Sequence, residues 1–391
     1  MSITSEVYNN RGVSSTKDDV HKAISNLYGG IFTKTFCKVY PDYLTGDPNY
    51  CIISHADGSG TKSILSYLYY KLTNDLSIWS NLAKDSIVMN TDDLLCVGAI
   101  DNFIYTSTIG RNKNLINGDV ISELINGTSE YIKDLSNLGF NINLMGGETA
   151  DVGDVVRTII VDGSMTTRLK KSDVVDNSNI KPGDVIIGFS SYGQSTYESE
   201  YNSGIGSNGL TSARHDLLNK YYEINFPESF DPNVDPEYRF IGKYSLLDTE
   251  SSTKKTIGEL LLSPTRTYLP VVKDVFESIP RNEIHGIIHC TGGGQTKILN
   301  FVDNLHIVKD DLFEIPPIFK LIYEETNASL KEMYQVFNMG HRLEIYASEE
   351  YANTIISISK RYNINAKIIG RVEKSDSKKL TLITQDGELK Y

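Results

Sequence analysis

A strand that runs straight into a glycine-rich turn constrains this chain more than any other feature. Tyr50-Cys51-Ile52-Ile53 is an apolar run, His55-Ala56-Asp57-Gly58-Ser59-Gly60-Thr61-Lys62 is the turn, and Ile64-Leu65 with Tyr67-Leu68 opens a helix. Backbone N–H groups at such a junction come close enough to hold phosphate. The spacing is neither the Walker A loop nor the dinucleotide-binding glycine triplet, so those nucleotide folds are not supported. Asp57 adds what a bare glycine loop lacks, a ligand for a magnesium ion carried by phosphates. The same octapeptide also fits a tight strand-to-helix turn with solvated charges.

Two further pieces have the same character. Asn90-Thr91-Asp92-Asp93 sets adjacent carboxylates between Ile87-Val88-Met89 and Leu94-Leu95-Cys96. Two such aspartates repel each other unless they face solvent or share a cation. Met145-Gly146-Gly147-Glu148-Thr149-Ala150-Asp151 follows the apolar Phe140–Leu144 run, so a glycine pair is expected to end a strand and present Glu148 and Asp151. Three acidic, glycine-bordered or apolar-bordered segments suggest one metal–phosphate site.

These pieces, in this order, resemble the aminoimidazole ribonucleotide synthetase (phosphoribosylformylglycinamidine cyclo-ligase) family. The family's D-G-V-G-T-K loop is matched by Asp57–Lys62 with Ser59 in place of valine, its N-D-L by Asp92-Asp93-Leu94, and its G-G-E-T-A-E by Gly146–Asp151. Lys181–Val185, Ser207-Asn208-Gly209, Pro264–Tyr268, His289–Gly294 and Phe337–Gly340 continue the match. The resemblance therefore spans most of the chain. The chain also departs from the pattern. Ile205-Gly206 stands where the family has proline-histidine, Tyr192 to Gly204 is extra, Pro227 to Ser263 is expanded, and His55 and Thr108–Asn114 differ. The reading is of a divergent branch.

Composition agrees with an enzyme of two domains. The 391 residues are long for one core, and 38 basic against 50 acidic side chains give a net charge of −12. That balance argues against a nucleic-acid binder, so a phosphorylated substrate must be met by local basic groups and helix ends. Cys37, Cys51, Cys96 and Cys290 are dispersed and read as reduced, buried thiols. With no leader pattern at the start and no long apolar run, no membrane partner is expected and the cytoplasm is the expected location.

Alternation of strands and helices predicts α/β layers in both halves. A short helix is expected over Asp18–Leu27 capped by Thr16, a long one from about Leu76 towards Gly98, and a third over Asp119–Leu138. Val155–Arg168 reads as β, and a polar stretch before Asp184–Ser190 sets the boundary between domains 1–175 and 176–391. Helices are expected over Ser212–Tyr222 and Gln295–Val302, with a closing hairpin near Gln385-Asp386-Gly387. The resemblance implies an N-terminal ATP- and metal-binding domain whose sheet meets its copy in a homodimer to close a β-barrel. A C-terminal mixed-sheet α/β domain then completes the cleft.

The activity implied is ATP-dependent cyclisation of formylglycinamidine ribonucleotide, with ADP and phosphate released, in purine biosynthesis. ATP would phosphorylate the formyl amide oxygen, and the neighbouring amidine nitrogen would displace it. On this reading Asp57, Lys62 and Asp93 are the candidate catalytic residues. Asp57, Asp93 and Glu148 would hold magnesium, with Asp92 and Asp151 as reserve ligands. Lys62 would pair with ATP phosphates, beside Gly58, Ser59, Gly60, Thr61, Gly146, Gly147 and Thr149. Ser207, Asn208, Gly209, Arg266, Thr291, Gly292 and Gly293 would meet the substrate. His289 reads as a core or interface histidine, Arg111 and Lys113 as a solvated loop, and Tyr192–Gly204 as a mobile lid or a surface decoration. The competing readings are a thiamine-monophosphate kinase-like enzyme of the same superfamily and a nucleotide-binding regulator without turnover.

Overall fold

The computed structural model describes residues 10–13, 22–24, 26–326 and 328–391. The expected Asp18–Leu27 helix and its Thr16 cap lie largely outside these residues.

Two sheets organise the chain. The first joins β1 (Val39–Pro41), β2 (Tyr50–Gly58), β3 (Phe103–Arg111), β4 (Ile142–Asp151) and β5 (Ile159–Lys170) in the order β1-β2-β5-β3-β4. Its pairs are antiparallel except β3 with β4. Helices α1 (Lys62–Thr73), α2 (Ile78–Leu95) and α3 (Gly118–Asn137) accompany it. Period-two alternation turns Ile159, Val161, Gly163 and Met165 inward, while Ile160, Asp162, Ser164 and Thr166 line the other face. On that outer face Ile104 and Ile160 remain exposed. The sheet does not close into a barrel within one chain.

The second sheet runs β12-β11-β8-β10-β6-β9-β7, all antiparallel except β11 with β8. Its members are β6 (Val185–Ser190), β7 (Ile284–His289), β8 (Leu305–Lys309), β9 (His341–Ala347), β10 (Ala366–Lys374), β11 (Lys379–Thr384) and β12 (Gly387–Lys390). Strands β6 and β9 and the edge strand β7 are buried along their whole length, so both faces of this end of the sheet are covered. Helices α4 (Leu210–Leu217), α5 (Tyr221–Asn225), α6 (Ile257–Leu261), α7 (Leu269–Ser278), α8 (Pro317–Glu325), α9 (Leu330–Val336) and α10 (Glu349–Arg361) complete this half.

Two expected helices differ. Ser212–Tyr222 is broken because Leu218 is extended and bridges Tyr244, leaving α4 and α5 as separate pieces. Gln295–Val302 is instead a 3₁₀ segment, Gly294–Asn300, in which Gly294 sits against the Tyr334 and Phe337 carbonyls. The final hairpin forms as expected, with Thr384 opposite Gly387.

One helix joins the halves. Nearly every residue of α2 from Leu82 to Leu95 is buried, including Asp85, Asn90, Asp92 and Asp93. A helix with so little amphipathic contrast must be enclosed on all sides. Its polar residues point at partners in both sheets, and the candidate site is built around it.

Candidate active site

Strand β2 ends beside the C-terminal half of α2. His55 and Asp57, two residues apart, share the face that meets the helix. The His55 Nδ1 is 3.1 Å from Asn90 Oδ1, and Asn90 Nδ2 donates to the Asp57 carbonyl at 3.0 Å. One helical turn on, Asp93 receives His55 Nε2 at 3.4 Å and, from β7, His289 Nδ1 at 2.7 Å. Side-chain ligand atoms of His55, Asp57 and Asp93 all lie within 4.8 Å of one another.

The electrostatics separate the two carboxylates. Burial, and then the Asp93 charge, push the Asp57 carboxyl above its ordinary range. Burial would do the same to Asp93, but the His289 hydrogen bond and charge outweigh it and hold the carboxyl low. Lys297 adds positive potential at Asp93, its ammonium standing over the Phe36 ring. Two close carboxylates facing a glycine loop fit a magnesium ion, which takes one or two carboxylates and completes its shell with phosphate oxygens and water.

The loops expected to meet ligands converge here. A Cβ on Gly60 would lie 3.9 Å from the Ser207 carbonyl, and Thr211 Oγ1 donates to Thr61 Oγ1 at 3.0 Å. Asn208 Nδ2 stands 3.6 Å from the Cβ position of Gly292, in the Thr291–Gly293 loop that follows His289. Gly209 and Gly293 adopt φ of +76° and +98°, which suits glycine at both bends. Ser59 serves the fold, bonding Ser63 and the Val161 carbonyl.

Several expected site residues have other work. Lys62 is buried, with Nζ 3.0 Å from Asp85 and donating to the Ser263 carbonyl at 2.5 Å. Asp92 latches α2 to the other half. Its carboxylate accepts from Thr267 Oγ1 at 2.6 Å and from the Tyr268 backbone at 2.8 Å, because one residue's step round the helix turns it away from Asp93. Asp151 is held on the surface by Arg111 at 2.7 Å, with Lys113 at 3.7 Å.

Glu148 is separated from Asp57 by sheet geometry. The row Gly58, Asp162, Thr108, Glu148 crosses β2, β5, β3 and β4, and opposed residues share a face. Gly58 and Asp57 alternate, so Glu148 projects from the outer face about 14 Å away, three strand spacings of about 4.8 Å. Gly146 and Gly147 do not end the strand. They lie inside β4, with Gly147 packed against the Ser107 carbonyl, and Thr149 is exposed on the same edge strand.

Arg266 pins the extra segment. Its guanidinium meets both Glu198 oxygens and the carbonyls of Ser190, Tyr192 and Gly193. Asn202 adds bonds to Glu198 and the Pro264 carbonyl, and Gly193 pairs with Asn202. The segment walls a cavity of about 520 Å³ with Tyr131, Lys84 and Thr265–Thr267, and none of His55, Asp57, Asp93 or His289 lines it. In this structure the segment is anchored as one wall of that cavity.

Comparison with known proteins agrees with this architecture. Residues 38–169 match the model of the AIR synthase related protein N-terminal domain, and residues 181–383 match that of the C-terminal domain. The chain belongs to the AIR synthase related family. A phosphoribosylformylglycinamidine cyclo-ligase of Methanococcus vannielii is 32% identical over 88% of this chain and 81% of its own length. Proteins of the same name from Methanocaldococcus jannaschii (33%, covering 83% and 79%) and Carboxydothermus hydrogenoformans (32%, covering 92% and 91%) are similarly related. Among solved structures, the fold resembles a HypE–HypF complex chain, with TM-score 0.56, 15% identity and coverage of 95% and 97%. It also resembles Thermotoga maritima PurL complexed with ADP, with TM-score 0.55, 13% identity and coverage of 96% and 47%.

His55, His289, Lys297 and Asp85 are the residues that the sequence analysis left out of the site. The alternation of His55 with Asp57 along one strand was a usable signal for the first. The others meet their partners across the two halves, and no local pattern announces that.

Proposed function

We propose that this chain is an ATP-dependent cyclo-ligase that closes formylglycinamidine ribonucleotide to aminoimidazole ribonucleotide in purine biosynthesis, releasing ADP and phosphate. The observation that carries the reading is the Asp57–Asp93 pair at the end of β2, facing the Gly60–Thr61 turn and reached by the Ser207–Gly209 and Thr291–Gly293 loops. The cyclo-ligase relatives name the reaction that such a metal–phosphate site performs.

Asp57 and Asp93 would hold a magnesium ion, with phosphate oxygens and water completing its shell, and His55 stands against Asp93 beside them. When bound, the ion neutralises charge on the ATP phosphates. His289 fixes the Asp93 carboxylate from behind, and Lys297 supplies the local positive potential that an acidic protein otherwise lacks. Backbone groups of Gly58–Thr61 approach the nucleotide phosphates. The Ser207–Gly209 turn and the Thr291–Gly293 loop orient the formyl amide so that its oxygen lies in line with the transferred group.

The protein acts as a homodimer in the cytoplasm, its two domains meeting near residue 175. The open outer face of the first sheet, with Ile104, Ile160 and edge strand β4, is the surface that a second copy covers to complete a barrel. Among the described residues no helix is long and apolar enough to cross a membrane. The test is product analysis with formylglycinamidine ribonucleotide, ATP and magnesium. Equimolar ADP and aminoimidazole ribonucleotide support the reading, whereas ATP turnover only with thiamine monophosphate would replace it.

A further inference from the structure

The Phe337–Gly340 motif has no part in the metal–phosphate site, yet it touches both the Ser207–Gly209 turn and the Thr291–Gly293 loop. A Cβ on Gly209 would run into the Phe337 ring, and a Cβ on Gly294 would stand 2.6 Å from the Phe337 carbonyl. The ring therefore packs against the turn, and the backbone carries the end of the loop. Gly204, Gly206 and Gly209 have φ of +84°, +67° and +76°, so neither strand nor helix carries residues 204–209. Side chains must hold that stretch in place.

Two buried amides supply the hold. Asn338 Nδ2 donates to the Gly204 carbonyl at 2.8 Å, while its Oδ1 accepts from Ser191 Oγ at 2.8 Å and from the Gly340 N–H at 3.0 Å. The Asn338 backbone carbonyl accepts from Gln295 Nε2 at 2.7 Å, and the same nitrogen reaches the His341 carbonyl at 3.1 Å. Gln295 directly follows Gly294. A chain of bonds thus runs from the Thr291–Gly293 loop through Gln295 and Asn338 to Gly204, just ahead of Ser207.

The orientation of Gln295 is itself fixed. Lys309 is fully buried, and its Nζ donates to Gln295 Oε1 at 2.9 Å and to the Gln295 carbonyl at 3.0 Å, with Glu344 neutralising it. A cation on Oε1 leaves Nε2 as the end that faces the two carbonyls. Both amides use a donor and an acceptor at once, which a carboxylate of the same size cannot do. A buried polar network with its partners in place specifies one arrangement.

We propose that Gln295 and Asn338 are positioning residues that lock the Thr291–Gly293 loop and the Ser207–Gly209 turn into one substrate-binding surface. What that surface binds rests on the cyclo-ligase reading. The two amides act through the loops and not on the reacting atoms.

The test uses the isosteric variants Gln295→Glu and Asn338→Asp in the full-length protein, each of which turns a donor into an acceptor facing a carbonyl. Lys309 offsets the added charge of Gln295→Glu, so that variant stays folded even if Asn338→Asp does not. Measured are kcat, KM for formylglycinamidine ribonucleotide, KM for MgATP, and hydrogen exchange of segments 204–209 and 291–294, which needs no turnover. Each variant should lose about a hundredfold in kcat/KM for formylglycinamidine ribonucleotide, the scale of a misplaced substrate, with KM for it up by about tenfold or more. KM for MgATP should stay within about threefold, because the metal–phosphate site is built on β2 and α2. The double variant should be little worse than the poorer single one, since either break parts the same link. Exchange should rise in both segments whichever amide is changed.

A fall in kcat with both KM values unchanged reports only lost folded protein and overturns the proposal. Faster exchange confined to the segment beside the substitution overturns it too, as do kinetics within about threefold of wild type. Each of these leaves the cyclo-ligase reading standing where the wild type makes aminoimidazole ribonucleotide. A wild type that makes none, while both segments loosen together in either variant, rejects the cyclo-ligase reading and keeps the link between the loops.

Discussion

Replacing Asp85 tests whether the lysine of the glycine loop belongs to the fold or to the nucleotide. The Asp85 carboxylate meets Lys62 Nζ at 3.0 Å, the Thr265 backbone N–H at 2.8 Å, Thr265 Oγ1 at 2.5 Å and Ser207 Oγ at 3.2 Å. Lys62 is 1% exposed, and burial already draws its ammonium below the usual lysine range. Asp85→Ala would leave that ammonium with only the Ser263 carbonyl. Breaking one side of a buried pair costs about 3–5 kcal/mol, and the orphaned Thr265 N–H adds to it. Lys62→Met should cost about 3 kcal/mol, at the lower end of that range, because Asp85 keeps its Thr265 and Ser207 donors.

The double variant removes both charges, so its cost should fall short of the sum by about 2 kcal/mol or more. Urea unfolding of the four proteins measures the coupling. MgATP affinity of Lys62→Met, taken by calorimetry, should stay near wild type. Additivity within about 0.5 kcal/mol would refute the clamp. So would a Lys62→Met protein of normal stability whose MgATP affinity falls tenfold, since the lysine would then be a phosphate ligand after all.

Glu198→Ala should free Tyr192–Gly204 from Arg266, and limited proteolysis should then cut within 192–204 in the variant while sparing the wild type. Asp93→Asn should preserve the fold but weaken magnesium-dependent ATP binding by tenfold or more, read by calorimetry with and without magnesium. In the second sheet, burial would raise the Glu344 carboxyl, but the Lys309 charge and the His341 hydrogen bond hold it at about 2. A folded value below the unfolded one gives stability that is present above pH about 4.3 and lost as pH falls towards 2, on the order of 3 kcal/mol. The stability deficit of Glu344→Gln should therefore shrink over that window. Sedimentation should show a dimer at micromolar concentration, and Ile160→Lys on the open face should shift it towards monomer.

The α/β layering was legible because periodicity reports burial one element at a time. Tyr50–Gly58 and Gly118–Asn137 lie where their patterns place them. β8 and helices α8 and α9 were not foreseen. Lys309 ends β8 as a buried cation beside Glu344 and Gln295, and a strand that interrupts its apolar run with a lysine looks like surface until its partners on β9 and the 3₁₀ segment are known.

Charge is where a one-dimensional reading fails in this chain, and geometry explains why. Asp85, Asp92 and Asp93 lie on one helix and all are buried, yet they do three different things. Seven residues separate Asp85 from Asp92, about two turns, so both look at the 263–268 strip of the other half and act as clamps. Asp93 is one step further round and looks at β2 and β7, where His55 and His289 await it. Asp57 and Glu148 were grouped because both end or border glycine motifs, but a two-residue period and three strand spacings place them on opposite faces of one sheet. Acidic motifs close in sequence thus pointed to the region, and helix phase together with strand parity decided which carboxylates meet. Asp57 and Asp93 lie side by side, and Glu148, Asp92 and Asp151 lie elsewhere.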